Sequence, residues 1–362
     1  MRNSSIEWIK IMAVVFVVLC HSVPETYTFP DGQTFTDGFA TANPAFFAVG
    51  LISGLGLIGD VIFIVCSSYF LLDGKKVKAG KVFAIILNVL IISVIYLVII
   101  LALGYKLSPM TVVRQCFPTT FQNNWFITYY IIFYLLHPVF NTIIEVLDKK
   151  RLALAAGLLF FHCSILLFFT GNAPGINKFI CFVNIYFLVA YFKYYGGALV
   201  RSRKLNIAVC VSCAALYVIM KAAVNALGLH FDHFQSRTTT YFHINNPVLI
   251  LFALSLFNLV NTKIYFNRSI NYLSSLSLLI YIIHRNNLFA ELIQPKWYDL
   301  FVLNYGKAYF IPAILTLAAI LFAASVAAAT VYRFTAERGV NALGAKIQSA
   351  CDRLMTRLRG RT

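Results

Sequence analysis

The chain reads as an all-α protein, a polytopic membrane helix bundle of about ten transmembrane helices with both termini cytosolic. Three observations predict this. The first is composition: of 362 residues, 60% are hydrophobic and only 12% charged, with a mean hydropathy of +0.78. Soluble domains carry about 25% charged residues, so this chain has too little polar surface to cover a water-soluble body. The same composition excludes disordered, coiled-coil and collagen-like chains. The second is the presence of ten continuous apolar runs of roughly the 20 residues that cross a bilayer core. Barrel strands would be about half as long and alternate in polarity. The third is the placement of the basic residues, which outnumber the acidic ones 30 to 13.

The runs are 6–23, 45–72, 82–104, 125–147, 152–171, 176–192, 205–228, 247–262, 272–293 and 308–332. The first is read as a retained helix, not a cleaved leader, because Glu7 interrupts it and no small-x-small site follows Cys20. Residues 17–20 faintly resemble a lipoprotein cleavage site, but Leu19 is too large for it. With the N-terminus inside, the segments assigned to the cytosol hold 21 of the 30 Lys and Arg, and the outer ones hold six. Arg2, the turn with Lys75, Lys76, Lys78 and Lys81, and the seven basic residues from Arg333 to Arg361 all fall on the inner side. The positive-inside rule gives both termini the same cytosolic side.

No internal repeat or linker divides the chain, so residues 1–335 are read as one transmembrane domain and 336–362 as a tail. In that tail Val340, Leu343, Ile347, Cys351, Leu354 and Leu358 recur at steps of three or four between basic residues. The pattern is that of an amphipathic helix on the inner leaflet, with a solvated basic tail as the alternative. The eight cysteines are scattered, mostly in spans, which argues against a disulfide framework. Cys210 and Cys213 have CxxC spacing but lie within an apolar run. His230, Asp232, His233 and His243 match no common zinc spacing, so no metal is expected. Nucleic acid is not expected either, because the basic residues are spread over several inner loops.

Ionisable residues inside a membrane are costly and are therefore candidates for function. Lys10 and His21 are eleven residues apart, about 16 Å along a helix, and share one face because eleven steps of about 100° nearly close three turns. Glu7 joins that stripe and can pair with Lys10. A histidine is suited to take a proton near neutral pH. The plainer alternative has Lys10 snorkelling to headgroups and His21 at the interface. Asp60, in mid-span, can orient the His21 ring or pair with a lysine. His137 precedes Pro138, so its ring is expected to satisfy the kinked backbone. In the first outer loop, Tyr27, Phe29, Phe35 and Phe39 with Asp31 and Asp37 suit either a sugar-stacking surface or an interfacial aromatic belt.

Four segments carry a resemblance. Arg2-Asn3 with Glu7, Lys10 and His21, the stretch Phe63–Leu71 with Ser67, Ser68 and Tyr69, the segment Trp125-Phe126 through Tyr134 and Pro138, and Ser277-Leu-Leu-Ile-Tyr281-Ile-Ile-His284 together resemble the membrane-bound acyltransferase-3 family. That family O-acylates bacterial surface polysaccharides. The match departs in having Lys10 where Arg is common, Ser68 in place of Gly, and lysines in place of an arginine-rich run after the second helix.

The resemblance implies transfer of an acyl group, in the first instance acetyl, from cytosolic acyl-CoA to a hydroxyl of an extracytoplasmic polysaccharide or lipid-linked glycan, in a bacterial plasma membrane. His21 is then the expected general base or transient acyl carrier, with Asp60 beside it. Lys10, Lys75, Lys76, Lys78 and Lys81 are the expected contacts for the donor phosphates, although inner loops are basic for topological reasons as well. Glu7, Ser67, Tyr69, Trp125, Tyr281, His284 and Arg285 are the candidates for binding substrate. Packing competes as the reading for Ser67, Tyr69, Trp125 and Tyr281, and interfacial anchoring for His284 and Arg285. A glycan or lipid-linked-intermediate transporter is the rival class, but the internal repeats common in transporters are not visible.

Overall fold

The computed structural model describes residues 3–170, 178–239 and 241–359. Arg2, the end of the fifth predicted span at Gly171, the start of the sixth at Ile176, and Arg361 lie outside these residues. The first half of the chain comprises α1 (Ser4–His21), a short hairpin of β1 (Thr26–Thr28) and β2 (Thr34–Thr36), then α2 (Pro44–Leu71), α3 (Ala79–Ala102), α4 (Pro109–Cys116), α5 (Trp125–Val146), α6 (Lys149–Phe160) and α7 (Leu167–Thr170). A π-helical turn, Phe161–Leu166, joins α6 to α7. There follow α8 (Lys178–Tyr195), α9 (Gly197–Arg201), α10 (Arg203–His230), α11 (Asp232–Gln235), α12 (Pro247–Asn261), α13 (Arg268–Ser275), α14 (Ser277–His284), α15 (Asn287–Leu292), α16 (Gln294–Tyr305), α17 (Phe310–Tyr332) and α18 (Arg338–Arg359).

Seven helical stretches among the described residues are long and apolar enough to cross a membrane. The predicted span 247–262 forms a 15-residue helix, and 176–192 falls on the 18-residue α8. The predicted continuous span 272–293 is not one helix. It is divided among α13, α14 and α15, because Asn286 turns its side chain onto the Leu288 amide and starts a new helix two residues after His284. Hydropathy summed over a window does not register such a cap.

Local chemistry accounts for most helix ends. Asn3 caps α1 through Ser5 N, and Asn43 caps α2 through Ala45 N with Pro44 in the first turn. Pro138 has no N–H to give the carbonyl of Tyr134, four residues earlier. The His137 ring nitrogen Nδ1 sits 2.5 Å from that oxygen and replaces the missing donor.

α1 lies between two apolar clusters. Its Ile6, Ile9 and Ala13 pack with α2, α5, α8 and α12, while Val14, Val17 and Val18 pack with α14 and α17. The close crossing of α1 and α2 depends on glycine. A Cβ at Gly59 would stand 2.5 Å from the Ala13 carbonyl oxygen, and one at Gly56 would stand 2.6 Å from Cys20. On the outer faces, α3 exposes Ile95, Val98 and Ile99 and α10 exposes Val211, Val218 and Ile219, an apolar surface suited to lipid.

The β1–β2 hairpin is packed, and most of the rings weighed as a sugar-stacking or belt surface turn onto the helices. Tyr27, Phe29 and Phe35 form an aromatic cluster with Phe46 and Phe310, and only Phe39 remains largely exposed. Lys307 ties the turn down through Asp31, 2.9 Å away, and through Gln33.

Candidate active site

α1 brings Lys10 to the wall of a cavity of about 590 Å³. Lys10, Asp60, Ser67, Lys78, Lys81 and Tyr281 line it. Lys10 is held in place by Glu7, whose Oε2 lies 2.8 Å from Lys10 Nζ and accepts a 2.5 Å hydrogen bond from Ser274 Oγ. Glu7 is buried, so its charge is stabilised by this cation and hydroxyl together, not by water. Its role in the structure is to position Lys10 and join α1 to α13. Asp60 is also buried, and Lys178 at the start of α8 is a cation whose field reaches it.

His21 ends α1, and its ring meets His284 at the end of α14. His21 Nδ1 and His284 Nε2 are 2.8 Å apart, and His284 Nδ1 lies 2.8 Å from the Ile280 carbonyl oxygen. The carbonyl can only accept, so His284 Nδ1 carries a hydrogen. In the neutral ring its Nε2 then accepts, and His21 Nδ1 must donate. This leaves the lone pair of His21 on Nε2. The orienting partner of His21 is therefore a second histidine, and Asp60 faces the cavity instead.

Tyr281 links this pair to the cavity. It lines the cavity, and its ring centroid is 6.3 Å from that of His21 and 5.8 Å from that of His284. The end of α1 is fixed from outside the cavity. Gln294 Nε2 donates to the His21 carbonyl at 2.9 Å, and Tyr298 donates its hydroxyl hydrogen to the Ser22 carbonyl.

The remaining candidates divide clearly. Lys78 and Lys81 border the cavity, whereas Lys75 and Lys76 are exposed and do not line it. Ser67 lines the cavity beside Tyr130. Tyr69 packs away from it, against Phe257, with Lys193 Nζ 4.3 Å above its ring. Trp125 opens α5 with Lys178 Nζ 4.1 Å over its ring. Arg285 is the residue that follows α14 and caps it.

Sequence spacing gave no sign of Ser274, or that His284, a candidate for binding substrate, pairs with His21; they are 267 and 263 residues from the α1 groups they hold. Asn341, Gly344 and Gln348 of α18 line the cavity as well, so the amphipathic tail is packed against α3 and closes one side of it. Arg333 opens the π-helical turn Arg333–Glu337 before that helix and is held through Glu337 Oε2 at 2.9 Å and Ser275 Oγ at 2.5 Å.

The chain is thus a bundle of long apolar helices with a cavity lined by three lysines and a histidine pair joined to that cavity by Tyr281. Residues 3–333 match the family model described as acyltransferase domain, and the chain belongs to that acyltransferase-3 family. It is accordingly a multi-pass membrane acyltransferase. Comparison with curated proteins and with solved structures returns no match.

Proposed function

We propose that this acyltransferase moves a short acyl group, acetyl in the first instance, from cytosolic acyl-CoA to a hydroxyl of an extracytoplasmic envelope polysaccharide or lipid-linked glycan. The observation that carries the reading is the disposition of α1. Lys10 lies at the cavity together with Lys78 and Lys81, and His21 stands about 16 Å further along the same helix. A polyphosphate held among the lysines and a thioester near His21 fit that separation. The orientation follows the basic residues: both termini and the Lys78–Lys81 turn are cytosolic, and the bundle crosses a bacterial plasma membrane ten times.

In this reading His21 Nε2 takes the proton of the acceptor hydroxyl as its oxygen attacks the thioester carbonyl. His284 holds the ring through Nδ1 and stabilises the imidazolium that forms. The tetrahedral intermediate collapses by breaking the C–S bond, and the proton on His21 passes to the departing thiolate, giving the ester and the free thiol. A transient acyl group on His21 is the variant of this route. Asp60 lines the cavity, and in this reading it acts on the polar part of either substrate.

Transfer of labelled acetyl from acetyl-CoA into envelope polysaccharide tests the proposal. His21→Ala abolishes transfer while the protein remains inserted in the membrane. Transfer that survives this change removes His21 from the chemistry, and glycan movement without acylation removes the reaction.

A further inference from the structure

The family match ends at residue 333, yet the cavity does not. α18, Arg338–Arg359, lies wholly beyond the matched residues and supplies Asn341, Gly344, Ala345 and Gln348 to the cavity lining. Its seat on α3 is specific. The two helices cross at Gly80 and Gly344, so closely that a Cβ on Gly80 would stand 2.2 Å from the Gly344 carbonyl oxygen. A Cβ on Gly344 would stand 2.7 Å from the Gly80 carbonyl oxygen.

The crossing also completes α3. Lys78 occupies the capping position of that helix and has no side-chain acceptor to offer its first amides. Gln348 supplies one from α18: its Oε1 accepts from Gly80 N at 3.1 Å, and its Nε2 donates to Asp352 Oδ1 at 2.9 Å. The amide that caps α3 therefore sits on the same turn as Lys78 and Lys81, the two lysines of that loop that border the cavity. Asn341, two turns earlier on α18 and exposed, brings a second side-chain amide to the lining.

We propose that α18 is a wall of the donor site, with Asn341 and Gln348 lying alongside the anionic, amide-containing arm of the acyl-CoA. The inference rests on the acyl-CoA reading above. A carboxamide can both donate to and accept from an amide of the donor, and the lysines opposite suit its phosphates. The part of the chain outside the family match thereby sets affinity for the donor while His21 and His284 set the chemistry.

The test is equilibrium binding of labelled acetyl-CoA to the full chain in detergent, with thermal unfolding measured in parallel. Asn341→Ala weakens binding about 5-fold or more with the unfolding temperature unchanged. Gln348→Glu is the more discriminating variant. It is made together with Asp352→Asn, whose amide can donate to the new carboxylate where Gln348 Nε2 now donates to Asp352. The carboxylate still accepts from Gly80 N, so the cap survives, but it places a negative charge beside the donor. Binding then falls at least 5-fold at low salt, and the loss shrinks as salt is raised. Arg353→Gln, on the same helix and outside the cavity, leaves binding unchanged. If wild type binds acetyl-CoA and both cavity variants bind it equally well, α18 is only a structural brace and the inference falls. If wild type binds no acyl-CoA, the donor reading itself falls.

Discussion

Nδ1 of His21 and Nε2 of His284 lie 2.8 Å apart, and the hydrogen bond from His284 to the Ile280 carbonyl fixes which of them donates. The second histidine thus does for His21 what a carboxylate does in many acyl-transfer sites: it selects the tautomer and holds the ring. Removing it frees the ring and its proton. His284→Ala is expected to lower transfer about 10²-fold, the lower end of what a positioned general base contributes. His284→Gln, whose Oε1 can still accept from Nδ1, should retain more activity than the alanine variant. Equal losses in the two variants, measured as acetyl transfer per inserted protein, would contradict the tautomer assignment.

Lys10 depends on Glu7, and Glu7 on Ser274. Glu7→Gln leaves the ammonium without its carboxylate in a cavity wall where Lys10 is about one-fifth exposed. Breaking a buried pair costs about 3 kcal/mol at the lower end of its range, the end chosen because water still reaches Lys10. The unfolding temperature in detergent should fall accordingly, while Ser274→Ala, which removes one hydrogen bond, should cost about 1 kcal/mol. A smaller effect for Glu7→Gln than for Ser274→Ala would show that the ion pair within α1 adds nothing to the Glu7–Ser274 bond that joins α1 to α13.

Gly59 permits the α1–α2 crossing. Any side chain there meets a backbone carbonyl, which cannot swing away. Gly59→Leu is expected to destabilise the protein by about 3 kcal/mol, the upper range for overpacking. The variant moves the helix that carries both Lys10 and His21, so activity should fall further than stability alone explains. Residual activity per folded protein, set against Gly50→Leu where a Cβ meets nothing within 4 Å, checks this.

The β1–β2 hairpin offers a pH test. The hydrogen bond from Lys307 holds the Asp31 carboxyl below its usual range. A carboxylate whose folded value is depressed stabilises above its unfolded value, about 3.9, and loses that contribution as pH falls through the folded value. Protection of the β1–β2 amides in hydrogen exchange should therefore be flat from pH 8 to pH 5, after correction for intrinsic rates, and drop only below about pH 4. Asp31→Asn should remove the acid-side change; a drop already present at pH 6 would assign the tether to another group.

Much of the architecture was legible in the sequence because the property that governs it is local. Partition between water and lipid is a sum over about 20 neighbouring residues, so apolar runs such as 82–104 and 125–147 could be read directly. The shared face of Lys10 and His21 followed from helix geometry, as did the substitution of the His137 ring for the donor that Pro138 lacks. The four short motifs pointed to the family that residues 3–333 match.

What the sequence could not disclose are pairings and interruptions. Hydropathy is blind to a helix end buried against protein, so the break after His284 was hidden within one apolar run. It is that break which places His284 at a helix terminus, with its ring free to meet His21. The contacts Glu7–Ser274, His21–His284 and Gly80–Gln348 join residues more than 260 positions apart. Each depends on how helices cross, which is decided by small residues such as Gly59, Gly80 and Gly344 letting backbones approach. The chain's apolar content and charge thus determined that it is a membrane helix bundle carrying an intramembrane lysine and histidine. Only tertiary packing decided which partner orients that histidine, which lysines reach the cavity, and that the carboxy-terminal helix closes it.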